Sequence, residues 1–228
     1  MIVGRYDRPV PPADDAERAP ASDGRIPGPR GMATRNRLID CTATLVAATP
    51  YSDLRVTDIA RAAGTSPATF YQYFVDLDAA LLVIAQQTTE VGVHLAKLIE
   101  ERGWTGKAGY DSAAELVERF LDFWQDHLPV LRVVDLLTEE GDARFRQARV
   151  HMLNTITTSL AHVIESVSPA ATSSPDAPMA TAAALVSMLA HVAAHRQGME
   201  SWHISFPELK AALTRQIYWG INSPEVPA

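Results

Sequence analysis

Residues 56–74 read VTDIARAAGTSPATFYQYF, and this stretch decides the fold. Its first half repeats apolar residues at helical spacing, with Thr57 as the predicted cap and Gly64 as the terminator. Ser66 and Pro67 then open a second helix, because serine caps helices and proline favours their first position. Two short helices joined by a tight turn containing glycine form the helix-turn-helix arrangement. The stretch therefore predicts a helix-turn-helix motif at about residues 55–74.

The helix that Pro67 opens has two faces of different chemistry. Phe70 and Phe74, four residues apart, form its predicted buried side. Its other side carries small, hydroxyl and amide residues, which can contact phosphates and read base edges in a major groove: Ala68, Thr69, Tyr71, Gln72 and Tyr73. The sequence thus predicts a DNA-reading helix, and a helical hairpin that merely packs is the alternative.

The chain on both sides of the motif also has helical spacing. An amphipathic helix is predicted from Ala33 to about Thr49, where Pro50 ends it. Asp76 caps a fourth helix that ends near Gly103. The apolar stripe of the first helix includes the only cysteine, for which packing is the predicted role: Leu38, Cys41, Thr42, Leu45 and Val46.

The second half of the chain is predicted to contain only helices. Apolar residues recur there at helical spacing, with no strand alternation and no internal repeat. A stretch rich in serine and proline reads as an exposed connector. A loop is predicted at Gly103–Gly109 and the connector at 168–178. Helices are predicted at about 116–124, from Pro129 to near Gly141, at 145–167, at about 179–199 and at about 207–219. The fold class is therefore all-α.

Composition limits the classes of protein that this chain can be. The 228 residues carry a net charge of −7 and are 47% hydrophobic, which indicates a globular protein without a basic coat. A single cysteine excludes an internal disulfide and a multi-cysteine zinc site. Residues 1–32 are polar and broken by prolines, which predicts a disordered arm rather than a signal peptide. The longest apolar run, Ala180–Ala190, is too short to span a bilayer, so we expect a cytoplasmic protein.

No pattern in the sequence indicates catalysis. The chain contains no HExxH, GxSxG or phosphate-binding glycine loop, and the acidic run at 139–142 is best explained as a solvated turn. His191 and His195 lie four residues apart, a spacing that allows two imidazoles to meet one metal ion. No acidic or cysteine partner follows in a recognisable motif, which favours interface or surface histidines. We predict no catalytic residue, no metal and no cofactor.

Residues 56–74, with a helix before them and the sequence DLDAALL at 76–82 after them, resemble the DNA-binding signature of TetR-type regulators. The resemblance covers about Leu38–Leu82. It implies a three-helix helix-turn-helix domain at 33–80, joined through a fourth helix to a helical ligand-binding and dimerisation bundle at 81–222, with a tail at 223–228. It also implies a ligand-released repressor that binds a palindromic DNA operator as a homodimer. A helical adaptor or ligand-binding protein with weakened DNA binding is the alternative.

The resemblance also implies roles for matching positions. Thr57 would touch a phosphate, Thr69 and Gln72 would read bases, and the two tyrosines of the motif would bind phosphates. The family's usual lysine at the start of the next helix is replaced by Leu77, between two aspartates, so little positive charge faces the phosphates. Either the DNA affinity is modest, or four arginines supply the charge: Arg30, Arg35, Arg37 and Arg55. The predicted DNA-binding residues are Arg35, Arg55, Thr57, Ser66, Ala68, Thr69, Tyr71, Gln72 and Tyr73.

Two further implications concern the second half of the chain. A small, apolar effector would occupy a pocket lined by Phe120, Phe123, Trp124, Met152, Met188 and Trp202, with His127, His151 and Asn154 as orienting groups. Core packing alone would produce the same apolar residues. A partner subunit would pack against the last two helices through Leu185, Met188, Leu189, Val192, Leu209, Leu213 and Ile217.

Overall fold

The computed structural model of the chain describes residues 27–167 and 177–222. Every regular element in these two ranges is a helix, which confirms the all-α fold class. Most of the predicted arm (residues 1–26), most of the predicted connector (168–176) and the predicted tail (223–228) lie outside the described residues. The elements are α1 (Pro29–Ala48), a 3-10 turn (Tyr51–Asp53), α2 (Val56–Ala62), α3 (Pro67–Tyr73), α4 (Leu77–Glu101), α5 (Gly106–Glu139), α6 (Ala143–Val167), α7 (Ala177–Glu200) and α8 (Phe206–Ile221).

The chain divides into two compact units, Met1–Gln87 and Thr88–Ala228, and α4 continues from the first into the second. In the first unit α1, α2 and α3 pack against one another. Their shared core removes apolar side chains of all three helices from water, which is the main source of stability for such a small unit. The buried residues include Leu38, Ile39, Val46, Ile59, Ala60, Phe70 and Phe74.

In the second unit α5 packs against α6, α7 and α8. The rings of Phe120 and Trp124 stack on α5 with centres 5.7 Å apart, and both side chains are buried. The other three helices contribute aliphatic side chains to the same core. These include Met152, Ile156, Leu160, Val186, Leu189, Leu213, Ile217 and Ile221.

The first helix begins earlier than predicted. α1 starts at Pro29 rather than Ala33, with Gly28 as an extended residue before it. Proline suits the first helical position because the N–H that it lacks would have no helical partner there. Thr34 Oγ1 donates a hydrogen bond to the carbonyl of Arg30 at 3.1 Å within this added turn. The prediction of a disordered arm is therefore wrong for residues 29–32.

The second correction concerns Pro129, where the sequence predicted a boundary between two helices. α5 passes through Pro129 as one helix of 34 residues and begins at Gly106, inside the predicted loop. Proline inside a helix removes one hydrogen-bond donor and crowds the preceding turn, at about 3 kcal/mol. Trp124 before it and Leu131 after it are both buried in the same core. This packing on both sides offsets the local penalty.

Side-chain caps fix the starts of α6 and α8. The side-chain hydrogen bond from Arg144 lowers the pKa of Asp142 to about 2, and Asp142 also accepts the Arg144 backbone N–H at 2.8 Å. Ser205 and Glu208 form a reciprocal capping box, and the hydrogen bond from the Ser205 hydroxyl lowers the pKa of Glu208. Both helices thus begin at side-chain hydrogen bonds that were not predicted.

Candidate DNA-binding interface

The turn between α2 and α3 is closed by backbone hydrogen bonds around a left-handed glycine. Gly64 has a φ of 64°, a conformation that glycine adopts without a steric penalty. The N–H of Ala63 donates to the carbonyl of Ile59, and the N–H of Thr65 donates to the carbonyl of Ala60, both at 2.9 Å. Gly64 therefore terminates α2, as predicted.

α3 begins with the predicted side-chain cap, whereas α2 does not. Ser66 Oγ accepts the N–H of Thr69 at 3.2 Å, and Pro67 occupies the first helical position. The residue before α2 is Arg55, which forms no capping hydrogen bond through its side chain. Thr57 lies one residue inside α2, and its side chain is exposed. The capping role predicted for Thr57 is wrong, because the helix starts before it.

The inner face of α3 is held by two phenylalanines and by an arginine from α1. Phe70 and Phe74 are buried, with ring centres 5.3 Å apart. The guanidinium of Arg35 lies 5.3 Å from the centre of the Phe74 ring, within the range of a cation–π contact. Arg35 is only 3% exposed. Its predicted contact with DNA is therefore corrected, because this arginine packs beneath α3.

The outer face of α3 carries the polar groups that the sequence predicted there. The side chains of Ser66, Ala68, Tyr71 and Gln72 are exposed, and that of Thr69 is half-buried. Tyr71 is 51% exposed and rests edge-on against the ring of Phe70, with ring centres 5.7 Å apart. The residues that carry an amide and a phenol hydroxyl thus lie at the surface of one short helix.

Tyr73 differs from Tyr71, because it is half-buried and lies against the start of α1. A Cβ placed on Gly31 would be 3.3 Å from the Tyr73 hydroxyl oxygen, so the absence of a side chain at position 31 makes room for the ring. This contact joins the end of α3 to the first turn of α1. No sequence pattern marks Gly31 as a partner of the motif.

Three exposed arginines near this face make contacts within the subunit. Arg37 Nε donates to the carbonyl of Ala63 at 3.0 Å, which ties α1 to the turn of the motif. Arg55 donates to the carbonyl of Ser52 at 3.0 Å. Arg61 forms an exposed ion pair at 3.1 Å with Asp58 of the same helix. A guanidinium has five N–H donors, so these exposed arginines retain donors for a phosphate.

The start of α4 carries acidic side chains on both sides of the position where the family usually has lysine. Asp76 Oδ1 accepts the N–H of Ala79 at 2.7 Å, which confirms the predicted cap. Leu77 is half-buried at the first helical position. The hydroxyl of Tyr51 donates to Asp78 Oδ1 at 2.6 Å and holds that carboxylate against the 3-10 turn. This hydrogen bond joins residues far apart in the sequence and was not predicted.

In the second unit, most of the predicted pocket residues belong to the core. Phe120, Phe123, Trp124 and Met152 are buried, and Met188 is half-buried against them. The indole N–H of Trp124 is buried and has no hydrogen-bond partner among the residues that the structure describes. A buried N–H of this kind can donate a hydrogen bond to an acceptor atom of a bound molecule.

His127 lies beside these aromatic side chains, and its tautomer is determined by one hydrogen bond. Its ring is 4.8 Å from that of Phe123, and its Nδ1 lies 2.8 Å from the Phe123 carbonyl oxygen. Because that oxygen can only accept, Nδ1 of the neutral ring carries the proton and Nε2 is an acceptor. The half-buried His127 can therefore orient a polar group.

Three other residues predicted to line the pocket do not lie among the buried aromatic side chains. His151 and Asn154 are exposed on α6, and Trp202 is 71% exposed beyond the end of α7. Successive helical residues point about 100° apart, so His151 turns outward when its neighbour Met152 turns inward. Their predicted pocket roles are wrong. Within the described parts of the chain, no group of three or more His, Cys, Asp or Glu side chains is arranged to hold a metal ion.

The predicted subunit interface needs a similar correction. Leu189, Leu213 and Ile217 are buried in the core of their own subunit, and Leu185, Met188, Val192 and Leu209 pack partly against it. Most exposed residues of the same two helices are small or polar, and Met179, Phe206 and Trp219 are the large apolar exceptions. The small and polar ones include Ala180, Ala183, Ala184, Ser187 and His191 on α7, and Arg215 and Gln216 on α8.

Comparison with protein families identifies the class of regulator. The model for bacterial regulatory proteins of the tetR family matches residues 38–82, and the model for the tetracyclin repressor-like C-terminal domain matches residues 95–228. The second match alone spans more than half of the chain. The chain belongs to the TetR family. As a member of that family it is a DNA-binding transcriptional regulator, with the helix-turn-helix in α2 and α3.

Three similar proteins share less than 30% sequence identity with this chain. An uncharacterized HTH-type transcriptional regulator of Haemophilus influenzae is 27% identical over 132 residues, which are 58% of this chain and 63% of that protein. A tetR-family regulator from Streptomyces coelicolor has a TM-score of 0.61 and 17% identity over 81% of this chain and 78% of that one. The fatty acid degradation regulator FadR of Bacillus halodurans has a TM-score of 0.61 and 18% identity over 84% and 96%. These structures show that the fold is shared.

Proposed function

We propose that this TetR-family protein is a repressor that binds a palindromic operator as a homodimer and is released by a small, largely apolar effector. The observation that carries the proposal is the outer face of α3, where Tyr71 and Gln72 are exposed on a helix capped by Ser66. Amide and hydroxyl groups of this kind hydrogen-bond to base edges and to phosphates in a major groove. The buried Phe70 and Phe74 keep that face turned outward.

Within this proposal the residues of the interface have different tasks. Thr69 and Gln72 read base edges, whereas Tyr71, Tyr73 and Thr57 contact phosphates. Arg55 supplies positive charge at the start of α2. Ser66 and Ala68 lie at the beginning of α3, where the recognition helix of a helix-turn-helix protein approaches the bases. Two such helices related by a two-fold axis and about 34 Å apart would read the two halves of a palindrome.

The exposed side of α7 and α8 is the surface that we assign to the partner subunit. α7 contains the stretch Ala177–Met199, which is long and apolar enough on average to cross a membrane, as the core helices of soluble proteins also can be. Only 28% of the most apolar part of this helix is buried within the subunit. A second copy covering Ala183, Ala184 and Ser187 would remove this surface from water, and their small side chains allow close helix contact. We therefore assign the protein to the cytoplasm and not to a membrane.

The effector is proposed to bind among the aromatic residues of α5. Trp124 offers a buried N–H without a protein partner in the described residues, and His127 offers an acceptor at Nε2. The surrounding side chains Phe120, Phe123 and Met152 are apolar. A neutral molecule with an apolar body and a carbonyl or hydroxyl group fits this chemistry. One structural neighbour, FadR of Bacillus subtilis, was crystallised with stearoyl-CoA, and at 14% identity it shows only that such a fold accepts an acyl chain.

Release of DNA follows from the different affinities of the effector for two states of the dimer. An effector shifts an equilibrium only by its differential affinity, typically worth about 1–3 kcal/mol. α4 is the helix that runs through both units, so a change in its direction would move the two reading helices off their operator spacing. Mass spectrometry of whatever co-purifies with the protein would identify the effector.

The alternative is a helical adaptor that has lost tight DNA binding. The specific observations that favour it are the burial of Arg35 and the presence of Leu77 where the family has lysine. Selection of bound sequences from random duplex DNA distinguishes the two functions. A repressor should enrich an inverted repeat with half-sites about one helical turn apart and should shift the DNA upstream of its own gene. Enrichment of no sequence would support the adaptor.

A further inference from the structure

Two histidines of α7 form a pair that neither the proposed DNA binding nor the proposed effector binding uses. His191 and His195 are the only histidines of the chain that lie four positions apart. Both side chains are exposed, and their rings stack with centres 4.4 Å apart and planes inclined by 25°. The backbone of α7 departs from helical geometry at His195, where φ is −113° and ψ is 16°.

A hydrogen bond determines the tautomer of the second histidine. His195 Nδ1 lies 3.0 Å from the carbonyl oxygen of His191. Because that oxygen can only accept, Nδ1 carries the proton and the lone pair of the neutral ring lies on Nε2. Histidines bound to metals almost always donate their other ring N–H to a carbonyl, a carboxylate or water, which fixes the ring and its tautomer. His195 is therefore already in the form that a metal ion requires.

His191 can supply the second nitrogen. Metal–nitrogen bonds of about 2.0–2.1 Å limit the two ligating atoms to about 4 Å from each other. The ring centres are already 4.4 Å apart, so rotation of the exposed His191 ring about its side-chain bonds is enough to bring both lone pairs onto one ion. Among the described residues, no hydrogen bond opposes that rotation.

The nearest positive charge is held by other contacts. Arg196 follows His195 in the sequence and would repel a cation if its guanidinium lay over the pair. The guanidinium instead lies 4.6 Å from the centre of the Phe206 ring and donates to Gln125 Oε1 at 3.1 Å. These contacts with α8 and α5 leave the two imidazoles accessible to an ion.

We propose that His191 and His195 chelate a late first-row divalent ion through their two Nε2 atoms. Imidazole suits Ni²⁺, Cu²⁺ and Zn²⁺ better than it suits Mg²⁺ or Ca²⁺. Water completes the coordination, or the same pair of a second copy completes it if α7 lies at the subunit interface. The site is independent of DNA binding, so its failure would leave the proposed repressor function intact.

Calorimetric titration with Ni²⁺ tests this site. The full chain, purified without a histidine tag and stripped with EDTA, should bind one ion per chain, or one per two chains if the pair is shared. His191→Ala and His195→Ala should each weaken binding by about tenfold or more. His162→Ala, which removes a single exposed histidine of α6, is the control and should change nothing. Absence of saturable binding to the unmodified chain, or a loss no greater than that of His162→Ala, would overturn the proposal.

Discussion

Ser66 Oγ lies 3.0 Å from Thr69 Oγ1 and also accepts the Thr69 backbone N–H at 3.2 Å. One serine thus caps the reading helix and orients the hydroxyl of a residue assigned to base reading. A surface that is ordered before it binds loses less conformational entropy on association. The cap was predicted from the Ser-Pro sequence, whereas the hydroxyl pair requires the actual side-chain positions.

Replacing Ser66 by alanine removes the cap and the partner of the Thr69 hydroxyl together. We expect the stability of the protein to fall by about 1 kcal/mol. Operator affinity should fall by about fivefold to tenfold, the equivalent of one hydrogen bond. Thermal unfolding and fluorescence anisotropy with labelled operator measure the two effects. Ser205→Ala removes a comparable cap from α8 and should lower stability alone, so an equal loss of affinity in both variants would contradict the assignment.

Arg35 is expected to affect stability and not the salt dependence of DNA binding. Arg35→Met keeps an unbranched apolar stem and removes the charge beneath Phe74, so unfolding should become easier by about 1–3 kcal/mol. The slope of log affinity against log salt should stay the same, because a buried guanidinium releases no phosphate counterion. The matched variant Arg55→Met should lower that slope by about 1 with little effect on stability. A reduced slope in Arg35→Met would place this arginine on DNA.

At Leu77 the test adds a positive charge instead of removing one. Leu77→Lys restores a cation at the start of α4 and should strengthen operator binding at low salt. The slope of log affinity against log salt should steepen by about 0.9, the value for one additional phosphate contact. Gln147→Lys adds the same charge to an exposed position of α6 and serves as the control. If both variants change the slope equally, the start of α4 does not contact DNA.

The subunit interface can be tested at Ala184. Ala184→Arg places an unpaired charge on the exposed side of α7, where burial against a partner would cost several kcal/mol. We expect sedimentation equilibrium to show a monomer at concentrations where the unmodified protein is a dimer. Val150→Arg changes a residue of α6 that is 62% exposed, and the dimer should persist. Dimerisation by the Ala184 variant would exclude this face.

Local patterns predicted the elements around the motif because their signals lie within a few residues. Gly64, the Ser66-Pro67 start and the Asp76 cap each act on backbone groups of their own turn, and all three are confirmed. The alternation between buried Phe70 and exposed Tyr71 follows from helical geometry alone.

The errors have a common physical origin in contacts between distant residues. Pro129 continues a helix because both flanks are packed in one core, and Arg35 is buried because a ring from α3 lies against it. Leu189 was predicted at a subunit surface, yet it fills the interior of its own subunit. An apolar residue has the same sequence pattern in either place. Only the packed chain distinguishes them.

The central claim is that the outer face of α3 reads DNA, and one set of affinities tests it most directly. Fluorescence anisotropy with the selected operator should show that Tyr71→Ala and Gln72→Ala each bind about tenfold more weakly or worse. Gln147→Ala, an exposed glutamine of the second unit, should bind as the unmodified protein does. Sedimentation should show that all three variants remain dimers. Unchanged operator affinity in both α3 variants would contradict the account.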